Sequence, residues 1–295
     1  ATTALSSISV SGTSNIGANI TTTGNQTYSD SVAVSSNSTL KAGTGTIDLT
    51  DTTITSNKTL TLGDGSATTI NMDKVDGAGS LTVNTTGAVT VADTVGATTN
   101  VTTITLTQAS NATFNAAVDA TTITLTDTAG TIDFQGAVTA TTLGTANQDY
   151  NVKMTGGGTI TNATTFSNTG DVTFNDNAAD TLTFTGGLTA TAPGQVILGG
   201  GNLVTTDTNM SLGDANADAV SITESSTLKA GTGTIDLTDT VIASSKTLTI
   251  GDGSATTINM DKVDGAGSLI INTSEEFDFT EDFGATTALS SISVS

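Results

Sequence analysis

Short alternations of apolar and polar residues fill this chain, and no stretch sustains a helical period. Leu60 and Leu62 alternate with Thr59 and Thr61, and Leu81 and Val83 flank Thr82. Gly, Asn and Asp separate these alternations, so each reads as a short strand bounded by tight turns. The spacing recurs: 21 residues separate Leu49 from Ile70, Ile70 from Val91, and Leu60 from Leu81, while 19 separate Ile104 and Leu106 from Ile123 and Leu125. Phe114-Asn115-Ala116-Ala117-Val118 is matched 20 residues later by Phe134-Gln135-Gly136-Ala137-Val138. The same signature (an apolar residue, three spacers, an apolar residue, one spacer, then Ala-Thr) begins again at Val91, Phe184 and Phe279.

A period near 20 that holds two or three short strands predicts an all-β fold, a right-handed parallel β-helix (β-solenoid) with about 20 residues per turn. Each turn lays its strands on the turn below. Leu, Ile, Val and Phe then stack inward, and Thr, Ser and Asn face out. Handedness follows from the preference of parallel crossovers. At ~4.8 Å per turn, roughly 14 or 15 turns would make a rod about 70 Å long.

Longer self-similarity is superimposed on the coil period. Ser38 to Leu49 returns as Ser226 to Leu237, an offset of 188, and Gly63 to Gly79 returns at the same offset as Gly251 to Gly267. After a divergent patch Gly96-Ala97-Thr98-Thr99 returns as Gly284 to Thr287. A second repeat, at an offset of 284, makes Ala1 to Ser11 identical to Ala285 to Ser295. The expectation is a single β-solenoid over 1–295 that is one period of a longer tandem array. Within it, residues 144–219 form a divergent middle region. Pro193 and the triplets Gly156-Gly157-Gly158 and Gly199-Gly200-Gly201 lie there and predict longer turns. Neither 1–11 nor 285–295 reads as the polar cap that solenoids ordinarily carry.

Composition narrows the function. Among 295 residues there are one proline and no cysteine, histidine or tryptophan, and all seven basic residues are lysines. A net charge of −21 argues against nucleic acid and anionic membranes, which are bound by clustered Lys and Arg. Without cysteine there is no disulfide framework, and no apolar run approaches the roughly 20 residues that cross a bilayer, so no membrane insertion is expected.

Gly24-Asn25-Gln26-Thr27-Tyr28, its weaker echo Asn147-Gln148-Asp149-Tyr150, Gly77 to Asn84 and the Phe114 and Phe134 signatures resemble repeats of filamentous-haemagglutinin-like adhesins, large surface and secreted proteins of bacteria. The resemblance covers nearly the whole chain. It implies an extracellular β-helical shaft in adhesion, biofilm matrix or filaments, and it carries over no catalytic residue.

Candidate chemistry is thin. β-Helical lyases and glycosidases place acids on one face, but lyases also need a cationic base or an arginine, and sugar sites want exposed aromatics. Here arginine is absent, and Tyr28 and Tyr150 are the only tyrosines. The chain is therefore read as not an enzyme, with no catalytic, cofactor-binding or metal residue assigned and no cofactor. Asp64 and Asp252 in Gly-Asp-Gly turns, with Asp73, Asp76, Asp261 and Asp264, offer oxygen ligands for calcium. The same residues are ordinary in turns, and the turn reading is favoured. The acidic patch Glu275 to Phe283 could be an interface or cation site, but reads first as a solvated face. Threonine runs such as Thr102-Thr103-Ile104-Thr105 and Thr121-Thr122-Ile123-Thr124 could suggest ice binding, against which turns varying from 19 to 23 residues argue, and cross-strand threonine pairing is the commoner explanation. The sequons at Asn19, Asn25, Asn37 and Asn57 need no glycan in so Asn- and Thr-rich a chain.

The expected function is a structural segment of an extracellular or cell-surface self-assembling filament or adhesin shaft. Its partners would be copies of itself, end to end or as tandem repeats. The alternative is an adhesin module that binds surface glycans through the middle region, and a polysaccharide-active β-helix enzyme comes third.

Overall fold

The computed structural model describes residues 4–214, 219–275 and 277–295. Every regular element among them is a strand, and every strand pairing is parallel. The chain divides into two compact units, Ala1–Tyr150 and Asn151–Ser295. Each is a β-solenoid in its own right.

In the first unit the chain passes through three sheets per coil. The first sheet stacks Ile8–Val10, Gln26–Tyr28, Thr46–Leu49, Thr69–Met72, Val89–Val91, Ala112–Phe114 and Thr131–Phe134. The second stacks Ser14–Ile16, Val32–Val34, Thr52–Ile54 and Val75–Asp76, and single bridges extend it through Val95 to Val118. The third runs from Ile20–Thr21 and Ser38–Lys41 through Thr59–Leu62 and Ser80–Asn84 to Val101–Gln108, Val118–Leu125 and Val138–Thr145. Those last three strands are eight residues each, and the last two cross the corner between the second and third sheets, so Val118 pairs with Val138 and Leu125 with Thr145 along one pair of strands.

The second unit has the same plan. One sheet stacks Asn151–Met154, Val172–Phe174, Val196–Leu198, Val220–Ile222, Thr240–Ile242 and Val263–Asp264. Another holds Thr164–Thr165, Leu188–Ala190, Met210–Leu212, Thr234–Leu237, Thr257–Met260 and Phe277–Phe279. The third runs from Gly158–Ile160 through Thr181–Phe184, Gly201–Thr205, Ser226–Lys229, Thr247–Ile250 and Ser268–Ile271 to Ser291–Val294.

The alternation seen in the sequence is the mechanism of the fold. Inward residues stack coil on coil: Leu60, Leu81, Ile104, Ile123 and Leu143 pair in turn, each at most 3% exposed. On the first sheet Tyr28, Leu49, Met72, Val91, Phe114 and Phe134 do the same. The Phe114 and Phe134 rings lie 4.8 Å apart and nearly parallel, the spacing of the coils themselves. Coils average about 21 residues and vary: along the first sheet, Gln26 to Ile47 spans 21, Ile47 to Ile70 spans 23, and Ile70 to Val89 spans 19. Along the first-named sheet of each unit the first stacks seven strands and the second six, fewer than 14 or 15 coils because several coils are long: Val172 to Val196 and Val196 to Val220 each span 24 residues, and Met210 to Ile235 spans 25.

The middle region keeps the regular coil. Its described residues supply strands to all three sheets of the second unit, and its extra length lies in turns such as the one holding Pro193 between Leu188–Ala190 and Val196–Leu198. Ala215 to Asp218, within that region, lie outside the described residues. Phe166, Phe174 and Phe184 fill its core edge to face, with centroids 5.4 to 6.1 Å apart.

The repeated block folds the same way in each unit. Ile47 pairs with Ile70 as Ile235 pairs with Ile258, Leu60 with Leu81 as Leu248 with Leu269, and Thr52 with Val75 as Thr240 with Val263.

Candidate functional site

Two features set this solenoid apart from a plain stack of coils, and both involve the repeats. The first is a corner in Lys74-Val75-Asp76-Gly77-Ala78-Gly79 and its copy Lys262 to Gly267. Asp76 Oδ1 accepts the backbone N–H groups of Thr98 and Thr99, on the next coil, at 3.1 and 2.9 Å, while Lys74 Nζ sits 2.7 Å from Oδ2. Asp264 repeats this with Thr286 and Thr287 at 3.0 and 2.9 Å and Lys262 at 2.9 Å. Hence Gly96-Ala97-Thr98-Thr99 reappears as Gly284 to Thr287 after divergent sequence: it is the segment the aspartate holds. Burial pushes the Asp76 carboxyl up, but the Lys74 ammonium and the Thr99 and Thr98 N–H groups outweigh it and leave the carboxyl at about 2. The Thr287 N–H and the Lys262 ammonium hold Asp264 below the usual carboxylate range as well.

Glycine is required at this corner. Gly77 and Gly265 have φ of 98° and 104°, and a Cβ there would lie 2.3 and 2.2 Å from the carbonyl oxygens of Ile54 and Ile242.

The second feature is the segment shared by 1–11 and 285–295. Near the start of the first unit, Ile8 and Val10 pair with Gln26 and Tyr28 of the following coil. In the second unit, Ile292 and Val294, the same positions of the segment, pair with Leu269 and Ile271 of the preceding coil. The opposite edge of each strand pairs with no other strand among the described residues of its unit. Leu5, Ile292 and Val294 are the large apolar residues most exposed among those described, at 58%, 47% and 53%. An open recess of about 230 Å³ beside the last coil is lined by Phe283, Ala288, Leu289 and Ile292.

The other candidates fall into structural roles. Asp64 and Asp252 accept the N–H of Ser66 and Ser254, two residues on, each at 3.2 Å, which are Asx turns, and Asp64 also faces Lys41 at 3.7 Å. Asp261 accepts the Thr280 hydroxyl at 2.6 Å, and Asp73 lines a shallow groove with Asp48 and Asn71. Among the described residues no three acids converge on a point. In the acidic patch, Glu276 lies outside the described residues, Phe277–Phe279 is a strand on Ile258–Met260, and Phe279 packs edge to face on Phe283.

The threonines pair across strands as expected, and they correct one premise, that unequal turns would keep them out of rank. Turn length varies as the sequence indicates, but loops absorb the variation, so Thr61, Thr82, Thr105 and Thr124 stand in register as an outward rank, and Thr59, Ser80, Thr103, Thr122 and Thr142 form a second. These are cross-strand pairs on a half-buried face.

Asparagines were missed as structural elements. Asn19, Asn25 and Asn37, three of the sequon residues, each accept with Oδ1 an N–H at the first or second residue of a strand on the next coil, at Thr39, Thr46 and Thr59, at 2.8 to 3.0 Å. Asn111 and Asn209 do the same for Thr131 and Thr234. Their signal was an Asn one coil before a strand start, legible only once register is known. Asn57 instead holds a left-handed turn, φ 60°.

No protein-family model, curated protein or solved structure matches this chain.

Proposed function

We propose that this chain is a structural segment of an extracellular or cell-surface filament or adhesin shaft, of the filamentous-haemagglutinin-like kind its sequence resembles, and that it is not an enzyme. The observation that carries this reading is the register-for-register folding of the repeated block in both units. Duplication of such a block adds coils without needing a new core, so the sequence encodes length. The polar groups at the most distinctive corner, Asp264 with Thr286 and Thr287, are spent on joining one coil to the next. The partners are other copies of the same sequence, stacked or in tandem, within a single solenoid. The net charge of −21 disfavours nucleic acid and anionic lipid as partners.

Antibody labelling of native cells under the electron microscope, with mass spectrometry of the labelled polypeptide, tests this. Label along surface filaments is the expected result. Label confined to the cytoplasm, or to discrete soluble particles, contradicts it. Surface glycans are the second partner class: altering residues 144–219 would then abolish adhesion while the filament persisted.

A further inference from the structure

Both halves of a joint between copies are present in one chain. We propose that the eleven-residue segment shared by 1–11 and 285–295 is one and the same stretch of a common coil, through which one copy of this sequence continues into the next; this rests on the shaft reading and specifies its joint.

The missing layer can be identified by comparison within the repeat. Ser291–Val294 stands, at the 188-residue offset, where Thr103 to Leu106 stands in the first unit, and both pair with the same preceding strand: Ile104 on Leu81, Ile292 on Leu269. Ile104 and Leu106 are each 1% exposed because the next coil lays Ile123 and Leu125 on them. Ile292 and Val294 are 47% and 53% exposed. The difference is one absent coil.

What covers this segment is visible at its other occurrence, where Gln26 and Tyr28 lie on Ile8 and Val10. Ile8 and Val10 are only half-buried, because they lack what lies beneath Ile292 and Val294, namely Leu269 and Ile271. Each occurrence carries the layer the other lacks. Facing agrees too: Leu269 and Ile271 are fully buried, Gln26 and Tyr28 are 0% and 2% exposed, and all four align with the same two positions of the segment. A strand's faces alternate, so a one-residue mismatch at either edge would have turned these side chains outward. The joined ladder therefore reads Leu269, Ile292, Gln26 of the next copy, then Ile47, with Ile271, Val294, Tyr28 and Leu49 beside it. The period is 284 residues, and Gly12 of the next copy follows Ser295. The recess at Phe283 and Leu289 is then the floor of the next coil.

The test uses a two-period chain in which residues 12–295 follow Ser295 directly, compared with the single period. The protein has no cysteine, so thiol labelling reports one site at a time. Val294→Cys at the joint is expected to react at least about 100-fold more slowly in the two-period chain than in the single one, since reaction there requires local opening. The outward-facing Ser293→Cys is expected to react at similar rates in both. Hydrogen exchange of unsubstituted two-period protein, with slowed amides across 289–295, guards against a cysteine variant that fails to fold. Equal labelling of Val294→Cys and Ser293→Cys in the two-period chain, with fast exchange across the joint, would overturn the proposal. It would leave a shaft of separate blocks on flexible links, so the shaft reading survives or fails on the labelling of native filaments instead.

Discussion

Tyr150 ties two coils together: its hydroxyl donates to the Leu125 carbonyl at 2.9 Å and accepts the Ala146 N–H at 3.0 Å. Burial raises this phenol to about 12. The neutral form is therefore the one the fold favours, so its contribution is complete below about pH 10 and is lost as the pH rises toward 12. Tyr150→Phe is expected to lower stability by about 1–3 kcal/mol in urea unfolding, because it strips bonds from two backbone groups. Tyr28, 2% exposed, has a hydroxyl without a hydrogen-bond partner among the described residues, so Tyr28→Phe is expected to be neutral or stabilising by up to about 1 kcal/mol. Equal losses in the two variants would contradict the assignment. Asp76 works in the other pH direction. Its carboxyl is lowered to about 2, so the stability it adds is whole above about pH 4 and drains away as the pH falls through 2. Asp76→Asn should flatten acid unfolding in that window, and a melting curve unchanged between pH 4 and 2 would count against the corner. None of these roles was legible in the sequence: Tyr28 and Tyr150 sit in motifs alike enough to be read as echoes, yet only coil packing decides which hydroxyl finds a carbonyl.

Strand positions were legible because burial imposes a period of two and coil stacking a period near 20. Leu60, Leu81 and Ile104 announced both. The apolar signature at Val91, Phe114 and Phe134 marks a corner, since its second apolar residues, Val95, Val118 and Val138, form one row. The sequence misled where turn length was taken as a proxy for register. Turns of 19 and 23 residues deliver threonines to the same rank, because inward side chains fix the ladder and loops absorb the difference. Two predictions belong at this scale. Phe174→Ala opens the core between Phe166 and Phe184 and should cost about 3–5 kcal/mol, whereas Asn37→Ala loses one cap on Thr59 and should cost about 0.5–1.5 kcal/mol. Chemical denaturation of both variants checks the ranking, which reverses if caps rather than core set the stability. Phe174 carried no motif in the sequence; its importance comes from three rings meeting across successive sheets.

For the molecule as a whole, the 188-residue duplication was plain from identity alone, and its meaning was not. Structure supplies the reason for the most scattered part of it: Gly284 to Thr287 returns because Asp264 returns, one coil earlier. Gly77→Ala or Gly265→Ala tests that corner as a unit, since each forces a Cβ against a carbonyl of the preceding coil and strains a positive φ. Either is expected to destabilise its own unit by about 1–3 kcal/mol, and hydrogen exchange would place the loss in that unit alone. The two units specify parallel coils of one plan, and the proposal is that their number sets the length of an extracellular filament. Cryo-electron microscopy of the native material tests it most directly. Continuous filaments with a ~4.8 Å axial spacing and three strands per coil are the predicted result. Discrete particles with closed, polar-capped ends would contradict it.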